Sequence, residues 1–213
     1  MDSITHVLSA ALWTEPVPSP HLDGAGYARW RERMAVVLAA LLPDADGLIG
    51  LPDVAGITDG AFYAQYHRVV THSVGGFLVA ALLAATIAQR WPARWLFPSL
   101  RPRPAGLPVA DPLWRRLFAF SLVSVFWHFA GDSVTAWGIL KLLWPFSSMD
   151  FQLKRVNSIE PVLLCFTVAA WAIQNQCLRH GRRKTAWAVA AVWLALCALY
   201  VWLRPLFGSP AFV

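Results

Sequence analysis

The residues of this chain best equipped for chemistry come in spaced pairs. His128 and Asp132 stand four apart in FWHFAGDSVTAWG, and Asp2 and His6 stand four apart in MDSITH. An α-helix returns such positions to nearly the same face, so each pair can offer a nitrogen and an oxygen to one ion. That donor set suits zinc and similar divalent metals. Two further stretches add to it: LLPDADG carries Asp44 and Asp46, and YHRVVTHS carries His67 and His72. The five-residue spacing of His67 and His72 is wrong for one unbroken helical face. A helix start between them, capped by Thr71 or Ser73, would let both turn inward. One such pair arises in many helices by chance, and a lone histidine near a membrane helix end is an ordinary interfacial residue. Four segments together are a stronger signal, because ionisable groups near lipid are costly and usually functional.

The elements that must position these groups are apolar. Of the 213 residues, 57% are hydrophobic and only 14% charged, with twelve tryptophans. A soluble domain has about 45–50% apolar and about 25% charged residues, so the composition predicts an all-α integral membrane bundle. Four segments read as transmembrane helices: Ser73–Gln89, Leu117–Gly131, Pro161–Gln174 and Thr185–Leu203. Two shorter helices, Ile4–Trp13 and Tyr27–Leu42, precede them. The N-terminus opens with an acid rather than basic residues and reads as part of the mature chain rather than a signal peptide. The whole of 1–213 reads as one membrane domain, with the chemistry-bearing motifs in 1–150 and two further transmembrane helices in 159–203. Residues 91–112 form a proline-rich linker that cannot be one long helix. Gly138–Phe146 is too short to span and reads as an interfacial or re-entrant piece. Cys165, Cys177 and Cys197 lack CxxC spacing and read as small buried hydrophobes.

Charge orients the bundle. Thirteen of the eighteen Lys and Arg fall in the loops Thr14–Arg33, Arg90–Arg116 and Cys177–Lys184. Positive loops mark the cytoplasmic side, which places both termini outside after six crossings. The same topology delivers the paired acids and imidazoles to the outer face, although they played no part in deriving it. His21 and His180 fall on the basic side and serve as expected surface residues. Asp23, Asp53, Asp59 and Asp111 have no partner pattern and read as solvated.

MDSITH, LPDAD, HRVVTHS and HFAGDSVTAWG followed by LLWPFSS together resemble the YdjM-like family of membrane-bound metal-dependent hydrolases, over about residues 1–150. That family is distantly similar to zinc-dependent phospholipase C and to zinc-dependent single-strand nucleases. The resemblance implies His6, an aspartate of the LPDAD segment, His67 or His72, His128 and Asp132 as metal ligands. Those soluble enzymes have further downstream His and Glu ligands. After Asp132 this chain offers only His180 and Glu160, which limits the expectation to one or two divalent ions, zinc first among them.

The expected activity is therefore hydrolysis of a phosphoester in a lipid or lipid-linked substrate, with metal-activated water as nucleophile. Asp2, Asp44 and Asp46 are the candidates for a general base or supporting carboxylate, and Arg68 and Lys141 for contact with an anionic substrate. The expected setting is a bacterial-type inner membrane, with membrane lipids as partners and the metal site facing out. Nucleic acid is not expected, since the outer loops lack basic density. Three rival readings use the same residues. A metal or proton transporter would place them near the bilayer midplane. A haem protein would not need so many carboxylates. A metal-stabilised protein without turnover would bind the ion with no open coordination position.

Overall fold

The computed structural model describes residues 2–18, 26–50, 68–90, 111–136, 140–157 and 159–207. Among the described residues there are six α-helices and no strand: α1 (Ser3–Thr14), α2 (Gly26–Leu41), α3 (Val74–Arg90), α4 (Asp111–Val134), α5 (Pro161–Arg179) and α6 (Arg183–Leu203). A 3₁₀ helix, Leu42–Gly50, continues α2, and a second, Arg204–Phe207, follows α6. Helix α4 is the centre, packed on α1, α2 and α3, while the α5–α6 hairpin docks mainly through α1. Gly181, in the left-handed region at φ 70°, turns the chain from α5 into α6.

Among the described residues three helices are long and apolar enough to cross a membrane: Leu113–Val134, Pro161–Arg179 and Arg183–Leu203. The expectation of four is corrected by α3. Its 17 residues rise about 1.5 Å each, some 25 Å in all, against a hydrocarbon core of about 30 Å. Ser73 caps α3, accepting the Gly76 amide at 3.1 Å on its hydroxyl, so the helix begins only at Val74. The two N-terminal helices are shorter still, at 12 and 16 residues. Most of the proline-rich linker lies outside the described residues, but its end is helical. Asp111 and Pro112 open α4, where a proline in the first turn gives up no hydrogen bond.

The packing is that of a bundle built for lipid. Helix α3 buries Phe77, Ala80, Ala81, Ala84, Ala85 and Ala88 along one face and exposes Leu78, Val79, Leu82 and Leu83 on the other. Small residues let backbones approach closely where lipid gives no hydrophobic drive for helices to associate. Polar side chains point inward and find carbonyls or hydroxyls. Ser124 donates to the Val36 carbonyl at 2.7 Å, and Gln174 Nε2 donates to the Leu12 and Ala186 carbonyls at 2.7 and 3.1 Å. The Trp193 indole donates to Thr167 at 3.1 Å.

One glycine governs the entry to α3. A Cβ on Gly76 would lie 2.6 Å from the Thr71 carbonyl oxygen and would also strike that of Val70, both backbone atoms. A Cβ on Gly75 meets only the Ser73 hydroxyl, at 3.8 Å. Gly76→Ala is expected to destabilise the protein by about 1–3 kcal/mol, read as a lowered thermal midpoint in detergent, while Gly75→Ala stays near wild type. Equal midpoints for the two variants would refute this account of the turn.

Candidate metal centre

The end of α4 and the segments around it bring four donors together. His128 and Asp132 lie one turn apart near the end of α4, Asp44 comes from the 3₁₀ continuation of α2, and His72 from the turn before α3. His72, His128 and Asp132 are fully buried; Asp44 is partly exposed. One ligand atom from each of the four lies within 4.8 Å of all the others. His72 Nε2 is 3.2 Å from His128 Nε2 and 3.1 Å from Asp132 Oδ2, and His128 Nε2 is 3.4 Å from that oxygen. Asp44 Oδ1 stands 3.4 Å from His72 Nε2 and 3.7 Å from His128 Nε2. Donors about 2.0–2.2 Å from a tetrahedral ion are about 3.3–3.6 Å from each other. The spacing of the four side chains fits a metal of that size.

The outer nitrogens of both imidazoles fix the direction of the inner ones. His128 Nδ1 lies 2.8 Å from the Ala40 carbonyl, one of the last-turn carbonyls of α2 that have no partner within the helix. A carbonyl only accepts, so Nδ1 carries the proton and Nε2 of the neutral ring presents a lone pair. His72 Nδ1 lies 3.0 Å from the Thr71 hydroxyl. That hydroxyl donates to Asp46 Oδ2 at 2.7 Å and so accepts from His72, which again leaves a lone pair on Nε2. Two lone pairs and two carboxylate oxygens thus converge, an arrangement that requires positive charge among them. With no metal, a proton on His72 meets the demand. Burial alone would lower its pKa, but Asp132 and Asp44 outweigh burial and raise it. Burial would raise the Asp44 carboxyl, yet the hydrogen bond from His72 holds it well below the usual carboxylate range. An ion taken up here would displace a proton from His72, so its binding would strengthen as pH rises toward that raised value.

The other expected site residues fall into distinct places. His6 is buried, its Nε2 3.2 Å from Asp132 Oδ1, the oxygen turned away from the four-donor group, and its ring stacks on His128 at 4.0 Å. Asp46, expected as a ligand, stands one step behind: its Oδ2 accepts the Arg68 amide and the Thr71 hydroxyl, each at 2.7 Å. Arg68 holds a left-handed backbone at φ 63° and brings its guanidinium 3.4 Å from Asp44 and 3.5 Å from Asp132. Asp2 caps α1, accepting the Thr5 amide at 2.8 Å and the Thr5 hydroxyl at 2.7 Å. His72 is presented by a turn rather than by a helix starting before it. His67 and His21 lie outside the described residues. His180 is exposed at the end of α5, beside Gln176. Glu160 pairs with Tyr200 and Arg204. Thr71 was legible only as a potential cap, because nothing in the spelling HRVVTHS shows that its hydroxyl bridges Asp46 to His72.

The sequence model of a family described as YdjM inner membrane protein matches residues 1–206. No curated protein and no solved structure matches the chain.

The Asp46–Thr71–His72 chain of hydrogen bonds yields a measurable consequence. Thr71→Val is expected to weaken zinc binding about 10–100-fold, the usual cost of losing the group that orients a ligating histidine. Thr71→Ser should restore it, with both affinities measured by chelator competition. Wild-type affinity in Thr71→Val would remove Thr71 from the site.

Proposed function

The chain belongs to the YdjM inner membrane protein family, and from that premise and the geometry of its His/Asp cluster we propose that it is a metal-dependent hydrolase. Its substrate is a phosphoester in a lipid or lipid-linked molecule. The observation that carries the reading is the convergence of two imidazole lone pairs and two carboxylate oxygens at ligand spacing. Asp44, His72, His128 and Asp132 would hold a divalent ion, with zinc favoured by two imidazoles and two carboxylates. Such an ion supplies Lewis acidity and lowers the pKa of a water it holds to about 7.

The chain's own residues divide the remaining work. Asp132 faces His72 and His128 through one oxygen and His6 through the other, so it fixes three rings at once. Among the described residues Arg68 is the cation that contacts the cluster, and it is placed to meet the negative oxygens of a phosphoester. Asp44 is the most accessible donor and the least tightly spaced, which makes it the carboxylate best able to give way. Arg29 and Arg116, early in α2 and α4, sit toward the opposite ends of those helices from the cluster, and Arg179 ends α5 beside the same groove as Arg29. By the positive-inside rule this supports a site on the outer side, where a lipid diffusing in the membrane plane can reach it.

A second reading keeps the ion and drops the chemistry. Four protein donors complete a tetrahedron, the arrangement of structural zinc, whereas catalytic zinc keeps a position open. Elemental analysis of detergent-purified wild type beside His128→Ala, Asp132→Ala and His180→Ala tests the metal. About one equivalent is expected in wild type and in His180→Ala, with loss in the other two. Hydrolysis of bis(p-nitrophenyl) phosphate and of phosphatidylglycerol in mixed micelles then separates the readings. Turnover that falls to background in His128→Ala supports the hydrolase; a full complement of metal with no turnover of either compound leaves only the structural role.

A further inference from the structure

At the end of the bundle away from the His/Asp cluster, a groove of about 540 Å³ runs along α1 between α2 and α5. All three helices change character along it in the same direction. On α2 the charged Arg29 and Arg33 give way to Val36 and Val37, two turns beyond the first and one beyond the second. On α5 the terminal Arg179, Gln176 and Asn175 give way to Trp171 and Ala172. On α1, Glu15 just past the helix end and Thr14 give way to Ala11 and Leu8. The groove is therefore polar at its mouth and apolar in its depth, on walls from three separate segments.

The charge at the mouth is positive. Glu15 is paired with Arg29 and Arg33 at 3.0 and 2.7 Å. Glu32 is buried between Arg29 and Arg116, at 3.1 and 2.5 Å. Along the groove two carboxylates thus face three arginines, Arg29, Arg33 and Arg179, and both carboxylates are covered by guanidinium groups. The Glu15 and Glu32 pairs alone would be a brace joining α1, α2 and α4. Arg179 takes no part in it: among the described residues its side chain makes no ion pair or hydrogen bond, yet it lines the same groove as Arg33.

We propose that this groove binds an anionic phospholipid, with the phosphate between Arg33 and Arg179 and a hydrocarbon chain along the apolar floor. The gradient selects an amphiphile over a free anion, because a phosphate alone would leave the deeper walls unmatched. It selects a negative headgroup over a zwitterionic one, because basic pockets between membrane helices favour anionic lipid. The site is separate from the His/Asp cluster and needs no metal.

Native mass spectrometry of the full chain, with and without chelator, reads the occupancy directly. Phosphatidylglycerol is expected to bind as intact lipid, phosphatidylcholine weakly, and inorganic phosphate not at all. Arg179→Gln, which breaks no internal pair, should cut the phosphatidylglycerol affinity about fivefold, the contribution of one basic residue at a membrane surface. Ala172→Phe should also reduce it by filling the apolar floor, while Arg155→Gln at the other end leaves it unchanged. Equal binding of phosphatidylcholine, or wild-type affinity in Arg179→Gln, would overturn the assignment. Phosphate competing with lipid while Ala172→Phe has no effect would make this a free-anion site and overturn it equally. Chelator stripping the metal without altering lipid binding keeps the two sites' fates distinct.

Discussion

Two imidazole nitrogens, each with its lone pair inward, sit 3.2 Å apart between two carboxylate oxygens. Such a point favours positive charge, part of which Arg68 supplies at 3.4 Å from Asp44 and 3.5 Å from Asp132. The surrounding contacts serve that demand. The Ala40 carbonyl and the Thr71 hydroxyl occupy the outer nitrogens, and Asp46 anchors Thr71. His6 lies flat on His128 and meets the far oxygen of Asp132. Each support comes from a different element, so the arrangement forms only when α1, α2, the turn before α3 and the end of α4 are all in place.

Small residues make this convergence feasible. The alanine face of α3 and the small side chains of α2 allow close packing around α4, with Ala39, Ala80, Ala81 and Ala84 in one core cluster. Close approach brings the end of α2 near enough for its spare carbonyl to accept a hydrogen bond from His128 Nδ1. The outward faces of α3, α5 and α6 carry Leu, Val, Ile and Trp that remain exposed, as lipid-facing surfaces do. Polar groups sit inside and apolar ones outside, and Ser124, Gln174 and Trp193 each donate to a partner within the protein.

Much of the site was legible because α-helical periodicity is strict. The four-residue spacing of His128 and Asp132 places both on one face, and a long apolar run guarantees the helix that holds them. His6 follows by the same rule, but its supposed partner Asp2 is spent on capping Thr5, a role that acids at helix starts often fill. LPDAD could not reveal which aspartate turns inward, since a 3₁₀ segment follows neither helical nor strand spacing; Asp44 reaches the cluster and Asp46 supports it. The count of spanning helices failed at α3 for a related reason. Its apolar run reads as a crossing, yet the chain uses Val70–Ser73 as a turn to present His72, and the helix that remains is too short. Cross-segment contacts, such as His128 to Ala40 over 88 positions, leave no trace in local spelling.

The central claim is that a metal ion, not merely a proton, supplies the charge at this point. X-ray absorption at the zinc edge of the purified, detergent-solubilised protein tests it most directly. The account predicts a first shell of nitrogen and oxygen at about 2.0–2.2 Å, with outer-shell scattering from two imidazoles and no sulfur. A protein that carries no zinc-edge signal after incubation with zinc and removal of the excess, or one whose metal is bound through sulfur, would contradict it.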